Sequence, residues 1–113
     1  MKRASIKKYF LTIFVLIFTN FLIAQTLRVY FIDVGQGDAT FIVTPKNTTI
    51  LIDSGDRDDN YDYGQRVVNH IKELGFNSID NIFLTHAHRD HVAGLKYVIE
   101  NLKVKNFYDT GFV

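Results

Sequence analysis

Three of the four histidines of this chain fall within six positions, in His86-Ala-His88-Arg-Asp90-His91. They sit where a short apolar run, Asn81-Ile-Phe-Leu-Thr85, gives way to a helical period in which Val92, Leu95, Val98 or Ile99, and Leu102 share one face. In chain just leaving a strand, residues two apart project to the same side, so His86 and His88 do. Two imidazoles on one side can grip a divalent ion, at about 2.0–2.1 Å for zinc. Asp90 and His91 follow at the helix start, within reach of a second ion beside the first. Two ions about 3.5–4 Å apart can clamp and deprotonate a water held between them. Carboxylate oxygen mixed with imidazole nitrogen suits Zn, Mn or Fe without choosing among them. Taken singly, each residue has a plainer role: a lone His near a strand end is usually hydrogen-bonded structure, and Asp90 alone reads as a helix N-cap. Four such residues at one strand-to-helix junction favour metal ligation. His70, isolated in a helical stretch, reads as structural.

The rest of the chain supplies a frame. Leu27–Asp33 is β-branched and aromatic and stops at Gly35-Gln36-Gly37-Asp38; Ala39–Thr44 ends at Pro45-Lys-Asn47; Thr48–Asp53 runs into Ser54-Gly55. With connections too short for crossover helices, these three strands form an antiparallel meander. An acidic loop, Asp56 to Asp62, precedes a helix over Asp62–Leu74, where Val67, Ile71 and Leu74 make one stripe and Gly75 stands at the place of a left-handed cap. Val104–Tyr108 opens one more strand. The order predicts an α/β fold, an antiparallel or mixed sheet with helices on one face. A hydrophobic share of 47% with 22% charged residues excludes wholesale disorder, and the absence of Cys excludes thiolate metal sites and a cysteine nucleophile. Gly35-x-Gly37 lacks the third glycine and following helix of a dinucleotide fingerprint, and the residues alone read as a tight turn between two strands. Asp56-x-Asp58-x-Asn60-x-Asp62 superficially resembles a calcium loop, but Tyr61 and Val67 stand where that loop needs Gly and Glu, so it reads as a solvated turn.

The formal net charge of +1 hides an uneven distribution. Residues 1–24 hold Lys2, Arg3, Lys7 and Lys8 and no acid, whereas the remainder holds nine basic and twelve acidic side chains. A basic start followed by the apolar run Tyr9–Ala24 has the layout of a signal peptide, and at 16 residues it is short for a spanning helix, which wants about 20. The expected division is 1–24 signal peptide, cleaved before Gln25, or an uncleaved membrane anchor; 25–113 is the working domain, exported to a periplasmic or secreted location. A net acidic exported part without a basic, aromatic-interleaved patch argues against tight nucleic-acid binding by this piece alone.

The segment His86-x-His88-x-Asp90-His91, with Thr85 before it and Gly94-Leu95 after it, resembles the signature of the metallo-β-lactamase superfamily of metal-dependent hydrolases. Asp53, closing Ile50-Leu-Ile-Asp53-Ser-Gly55, is similar to the family's earlier acid. Phe31-Ile-Asp33-Val-Gly-Gln-Gly-Asp38-Ala and Tyr108-Asp-Thr-Gly111 resemble the branch related to DNA-internalisation competence proteins, and that resemblance implies a backbone loop near the metal edge, with Asp33, Gln36 and Asp38 as its side chains. The resemblance implies that His86 and His88 bind a first metal, Asp90 and His91 a second, and that Asp53 orients a ligating imidazole from behind. It implies two zinc ions in a complete domain (manganese or iron being alternatives) and a metal-bound hydroxide, with Asp90 beside it, attacking an ester or phosphodiester in a small molecule or, by family analogy only, in nucleic acid. The family completes its site with a further His, a bridging Asp and a last His; no histidine follows His91, and Asp109 is the sole downstream Asp. The chain therefore reads as the N-terminal half of an αβ/βα sandwich. The alternative is a truncated or degenerate, non-catalytic chain with at most a weak single-metal site.

Overall fold

The computed structural model describes residues 26–111 and Tyr9, so the signal or anchor segment expected over 1–24 lies, Tyr9 aside, outside the described residues. Five strands, β1 (Arg28–Phe31), β2 (Thr40–Val43), β3 (Thr49–Ile52), β4 (Ser78–Phe83) and β5 (Lys103–Tyr108), form one sheet in sequence order. The first three pair antiparallel, with Phe41 opposite both Tyr30 and Leu51. β4 and β5 then add parallel, Leu51 opposite Ile82 and Ile82 opposite Phe107. The parallel sense follows from the helices between them: α1 (Gly64–Glu73) carries the chain from β3 to β4, and α2 (Arg89–Val92) with α3 (Leu95–Asn101) carries it to β5.

The helix expected over Asp62–Leu74 is α1, and its stop is as the sequence indicates. Gly75 takes φ +89° and donates to Lys72 O at 2.9 Å, while Phe76 N–H reaches Ile71 O at 3.1 Å, the paired bonds of a Schellman cap. The single second helix expected after the histidines is instead two, α2 and α3, broken at Ala93–Gly94. The break is a packing consequence. Gly64 and Gly94 let α1 approach the start of α3 backbone to backbone: a Cβ on Gly64 would overlap Gly94 O, and one on Gly94 would overlap Ser54 O. The strand expected at Asn81–Thr85 begins earlier and ends sooner, at Ser78–Phe83.

The core lies between the helices and one sheet face: Phe41, Val43, Leu51 and Ile82 meet Val67, Val68, Ile71 and Val98, all buried. The other face is open. Along one cross-strand row Phe31, Phe83 and Tyr108 are exposed, with Phe83 and Tyr108 stacked at 4.8 Å.

Asp80 fastens the parallel joint. Its Oδ2 accepts Thr49 N–H at 2.8 Å and Thr49 Oγ1–H at 3.1 Å, Thr49 Oγ1 accepts Asp80 N–H at 2.9 Å, and Lys105 Nζ pairs with Oδ1. The Lys105 hydrogen bond, then that of Thr49 N–H, holds the Asp80 carboxyl below its ordinary value, against a smaller opposing cost of burial. Because the folded value is the lower one, the stability it contributes is present above about pH 4 and is lost as pH falls through the folded value. Asp80→Asn is expected to cost about 1 kcal/mol or less at pH 7, the pair being partly solvated. The gap between the two urea midpoints should close as pH is taken below about 4; a gap that stays constant to pH 2 refutes the assignment.

Candidate metal centre

Parallel pairing of β3 with β4 brings the segments leaving their C-terminal ends to the same sheet edge. Asp53 follows β3 directly, buried to 3% exposure, in the left-handed region at φ +57°. Asp tolerates that region better than most residues, and here the conformation turns the carboxylate toward the segment after β4. Asp53 Oδ1 accepts Thr85 N–H at 2.9 Å, and Oδ2 accepts the Thr85 hydroxyl at 2.7 Å and lies 2.9 Å from His91 Nδ1. A buried carboxylate needs such partners, and it receives three.

This arrangement fixes where the imidazole protons are. Asp53 as a carboxylate only accepts, so the neutral His91 ring keeps its proton on Nδ1 and its lone pair on Nε2. The Thr85 hydroxyl has one hydrogen, given to Asp53, so at 2.9 Å from His86 Nδ1 its oxygen accepts from that ring as well. His86 Nε2 is thereby also left as a lone pair. Two ligand-type nitrogens are set by one aspartate and one threonine.

The side chains gather around His86. Its ring centroid is 4.5 Å from that of His88 and 4.1 Å from that of His91. Asp90 Oδ2 lies 3.6 Å from His91 Nε2, and Asp38 Oδ2 lies 3.8 Å from His91 Nδ1. His88, not Asp90, occupies the N-cap position of α2; Asp90 stands in its first turn. The His91 backbone is anchored separately, its carbonyl accepting Ser54 N–H at 2.8 Å and Ser54 Oγ–H at 3.1 Å. Arg89 reaches Asp56 at 3.1 Å and the Arg57 carbonyl, which ties the acidic loop to α2.

His86, His88, Asp90, His91, Asp53 and Asp38 are thus brought to one edge. Asp33 pairs with Arg66 at 3.2 Å, and Gln36 is exposed in the same loop, beside Gly37. His70 packs its ring on Tyr30 at 5.5 Å, and its buried Nε2 has no partner among the described residues. Thr85 and Ser54 escape a reading by residue type, because a hydroxyl flanking a motif has no signal of its own; the only cue was their adjacency to His86 and Asp53.

The donor set has the chemistry of a divalent-metal site, imidazole nitrogen and carboxylate oxygen with a buried acid behind one ring. It is partial. Among the described residues no group of three or more His, Asp and Glu is arranged to hold an ion.

A mixed sheet with a histidine- and aspartate-bearing edge after β3 and β4 defines a class, and the family model confirms it: residues 32–111 match the metallo-beta-lactamase superfamily, and the chain belongs to it. Its members usually bind divalent metals. The chain is 28% identical to ComE operon protein 3 of Bacillus subtilis (strain 168), over 90% of this chain and 15% of that protein. It is 39% identical to the beta-lactamase-like protein 2 homolog of Drosophila melanogaster, over 57% of this chain and 21% of that protein. Among solved structures it is similar to MEM-A1, a subclass B3 metallo-beta-lactamase from a soil metagenome library, with TM-score 0.53, 27% identity, and coverage of 67% of this chain and 28% of that one. A Cronobacter sakazakii metallo-beta-lactamase gives TM-score 0.53 at 26% identity, over 67% of this chain and 29% of the other. The chain therefore spans about a fifth or less of the curated relatives it matches and under a third of these solved structures.

Proposed function

We propose that this chain carries the first part of a metal-dependent hydrolase site, with His86, His88, Asp90 and His91 as ligands, and that further donors outside these residues complete it. The observation that carries the reading is the buried Asp53 bonded to His91 Nδ1 at 2.9 Å and, through Thr85, to His86: both rings are turned so that Nε2 is free to ligate. A divalent ion held there supplies Lewis acidity and makes a water acidic enough to act as a nucleophile near neutral pH. The chain's own part is to orient two imidazoles, to fix their tautomers, and to place the Asp90 carboxylate beside His91. The open apolar sheet face, with Phe31 84% exposed, supports the reading that a second layer completes the domain.

The substrate class we propose is an ester or phosphodiester. The resemblance of Phe31–Ala39 and Tyr108–Gly111 to the branch related to DNA-internalisation competence proteins favours a phosphodiester over a lactam, as a family analogy and not from a pocket in this chain. We also propose export, with 1–24 removed as a signal peptide; a mature N-terminus at Gln25 by mass spectrometry supports the cleavage, and an intact N-terminal segment refutes it in favour of an uncleaved membrane anchor.

The test is metal analysis after equilibrium dialysis against Zn²⁺ or Mn²⁺, with hydrolysis of bis(p-nitrophenyl) phosphate and of a chromogenic cephalosporin measured alongside. Stoichiometric uptake by this chain, with phosphodiesterase turnover by the protein that completes the domain, is the expected result. Trace uptake and no turnover in either form overturns it in favour of a non-catalytic chain with a weak single-ion site.

A further inference from the structure

We propose that the connection between β1 and β2 is a clamp that positions Asp90 and His91, with Gly37 as its contact point and Arg66 as its tether. The inference rests on the reading of those two residues as metal ligands and concerns how they are held in place. Antiparallel neighbours are commonly joined by two to five residues; here eight residues, 32–39, separate Phe31 from Thr40. The extra length is spent on three attachments.

At its first end, Asp33 is held by Arg66, whose guanidinium reaches both the Asp33 carbonyl and its Oδ2 at 3.2 Å. That guanidinium lies over the rings of Tyr61 and Tyr63 at 5.6 and 5.4 Å, so α1 presents it in a fixed place. Asp33 Oδ1 accepts Gly35 N–H at 3.0 Å, and Gly35 packs under the Tyr63 ring. At its far end, the Asp38 carbonyl accepts Gly55 N–H at 3.0 Å, which joins the loop to the segment carrying Asp53 and Ser54. Between these ends Gly37, at φ +97°, lies directly on the Asp90 main chain, where a Cβ would overlap the Asp90 carbonyl. No L-residue fits without moving either the loop or α2.

The loop thus meets α2 at the Asp90 carbonyl, one residue before the His91 carbonyl that Ser54 holds. Metal ligands must be held within about 0.5 Å of their working positions. A four-residue helix with no side-chain cap bond does not hold itself so well, and the clamp supplies the constraint.

The variants are Gly37→Ala, which wedges the contact, and Arg66→Ala, which releases the tether between α1 and Asp33. Two readouts are needed: Co²⁺ affinity by calorimetry, and amide hydrogen exchange at Ser54, whose N–H reports the His91 carbonyl without any metal. Gly37→Ala is expected to weaken Co²⁺ binding about 10- to 100-fold, the loss typical when an outer support of a metal site is removed. Ser54 exchange should quicken about tenfold while the β2–β3 ladder amides stay protected. Arg66→Ala should move both in the same direction by about threefold. Unchanged Co²⁺ affinity and Ser54 exchange in Gly37→Ala overturns the clamp. If Gly37→Ala quickens all amides together, Arg66→Ala decides, and wild-type values there overturn it. A wild-type chain that takes up no Co²⁺, together with no turnover in either form, refutes the metal reading instead, and Ser54 exchange in the two variants still tests the clamp.

Discussion

Replacing His88 with alanine is expected to cost the chain its metal and almost none of its stability. His88 is exposed, sits at the N-cap of α2 without a side-chain cap bond, and touches its neighbours mainly through its ring, 4.5 Å from that of His86. Exposed substitutions of this kind usually fall within about 0.5 kcal/mol of wild type. The imidazole it removes is nevertheless one of only three at this edge. We expect zinc affinity to fall roughly 100-fold or more, beyond what losing an outer-shell partner costs, and any turnover by the hydrolase proposed above to disappear with it. His70→Ala is the control: that ring lies on Tyr30, so its loss should lower the urea midpoint and leave zinc uptake as it was. Equal zinc content in wild type and His88→Ala, measured at matched free zinc, would remove His88 from the site.

The difference between those two histidines was partly legible in the sequence, and the reason generalises across the chain. Local signals read correctly because they depend on neighbours in sequence. The β-branched and aromatic runs, bounded by turn residues, that form Arg28–Phe31, Thr40–Val43 and Thr49–Ile52 and the glycine stop at Gly75 are of this kind. The short connections forced the antiparallel meander, and α1 forced β4 to add parallel.

What the sequence hid was set by contacts distant along the chain. The helical pattern from Val92 to Leu102 gives no warning of a break at Gly94, because the cause is Ser54 and Gly64, forty and thirty positions away. β4 begins at Ser78 although Ser78-Ile-Asp80 is not an apolar run, because Asp80 makes its hydrogen bonds to Thr49 on the neighbouring strand. Gly37 looks like any turn glycine until Asp90 is found against it. The histidine motif marks its own residues but does not rank them. Burial does: the His91 side chain is 12% exposed and bonded to Asp53, whereas His88 is open.

Asp53 is where the largest combined loss is expected, and three substitutions separate its two duties. Asp53→Ala deletes the acceptor for Thr85 N–H, Thr85 Oγ1–H and His91 Nδ1–H, and leaves Asp38, 3.8 Å from that ring nitrogen, as the nearest other carboxylate recorded against it. It also puts a Cβ without a local hydrogen bond at φ +57°, which costs about 1 kcal/mol more than Gly would. Together these should lower stability by about 3–4 kcal/mol, a large share of what holds a small domain. Asp53→Gly should recover about 1 kcal/mol of that by relieving the backbone alone. Asp53→Asn keeps shape and left-handed tolerance, so its urea midpoint should lie nearest wild type. Its amide, however, cannot accept at both oxygens. With the oxygen on Thr85 N–H, the NH₂ group donates toward His91 Nδ1 and drives the imidazole proton to Nε2, the nitrogen required for the metal. Asp53→Asn should therefore bind zinc about 10- to 100-fold more weakly while remaining folded, and the His91 ring nitrogens in a ¹⁵N spectrum should show the exchanged tautomer. If Asp53→Asn bound zinc as wild type does, the carboxylate would be a fold element alone, and the geometry that joins Asp53, Thr85, His86 and His91 would have no bearing on metal.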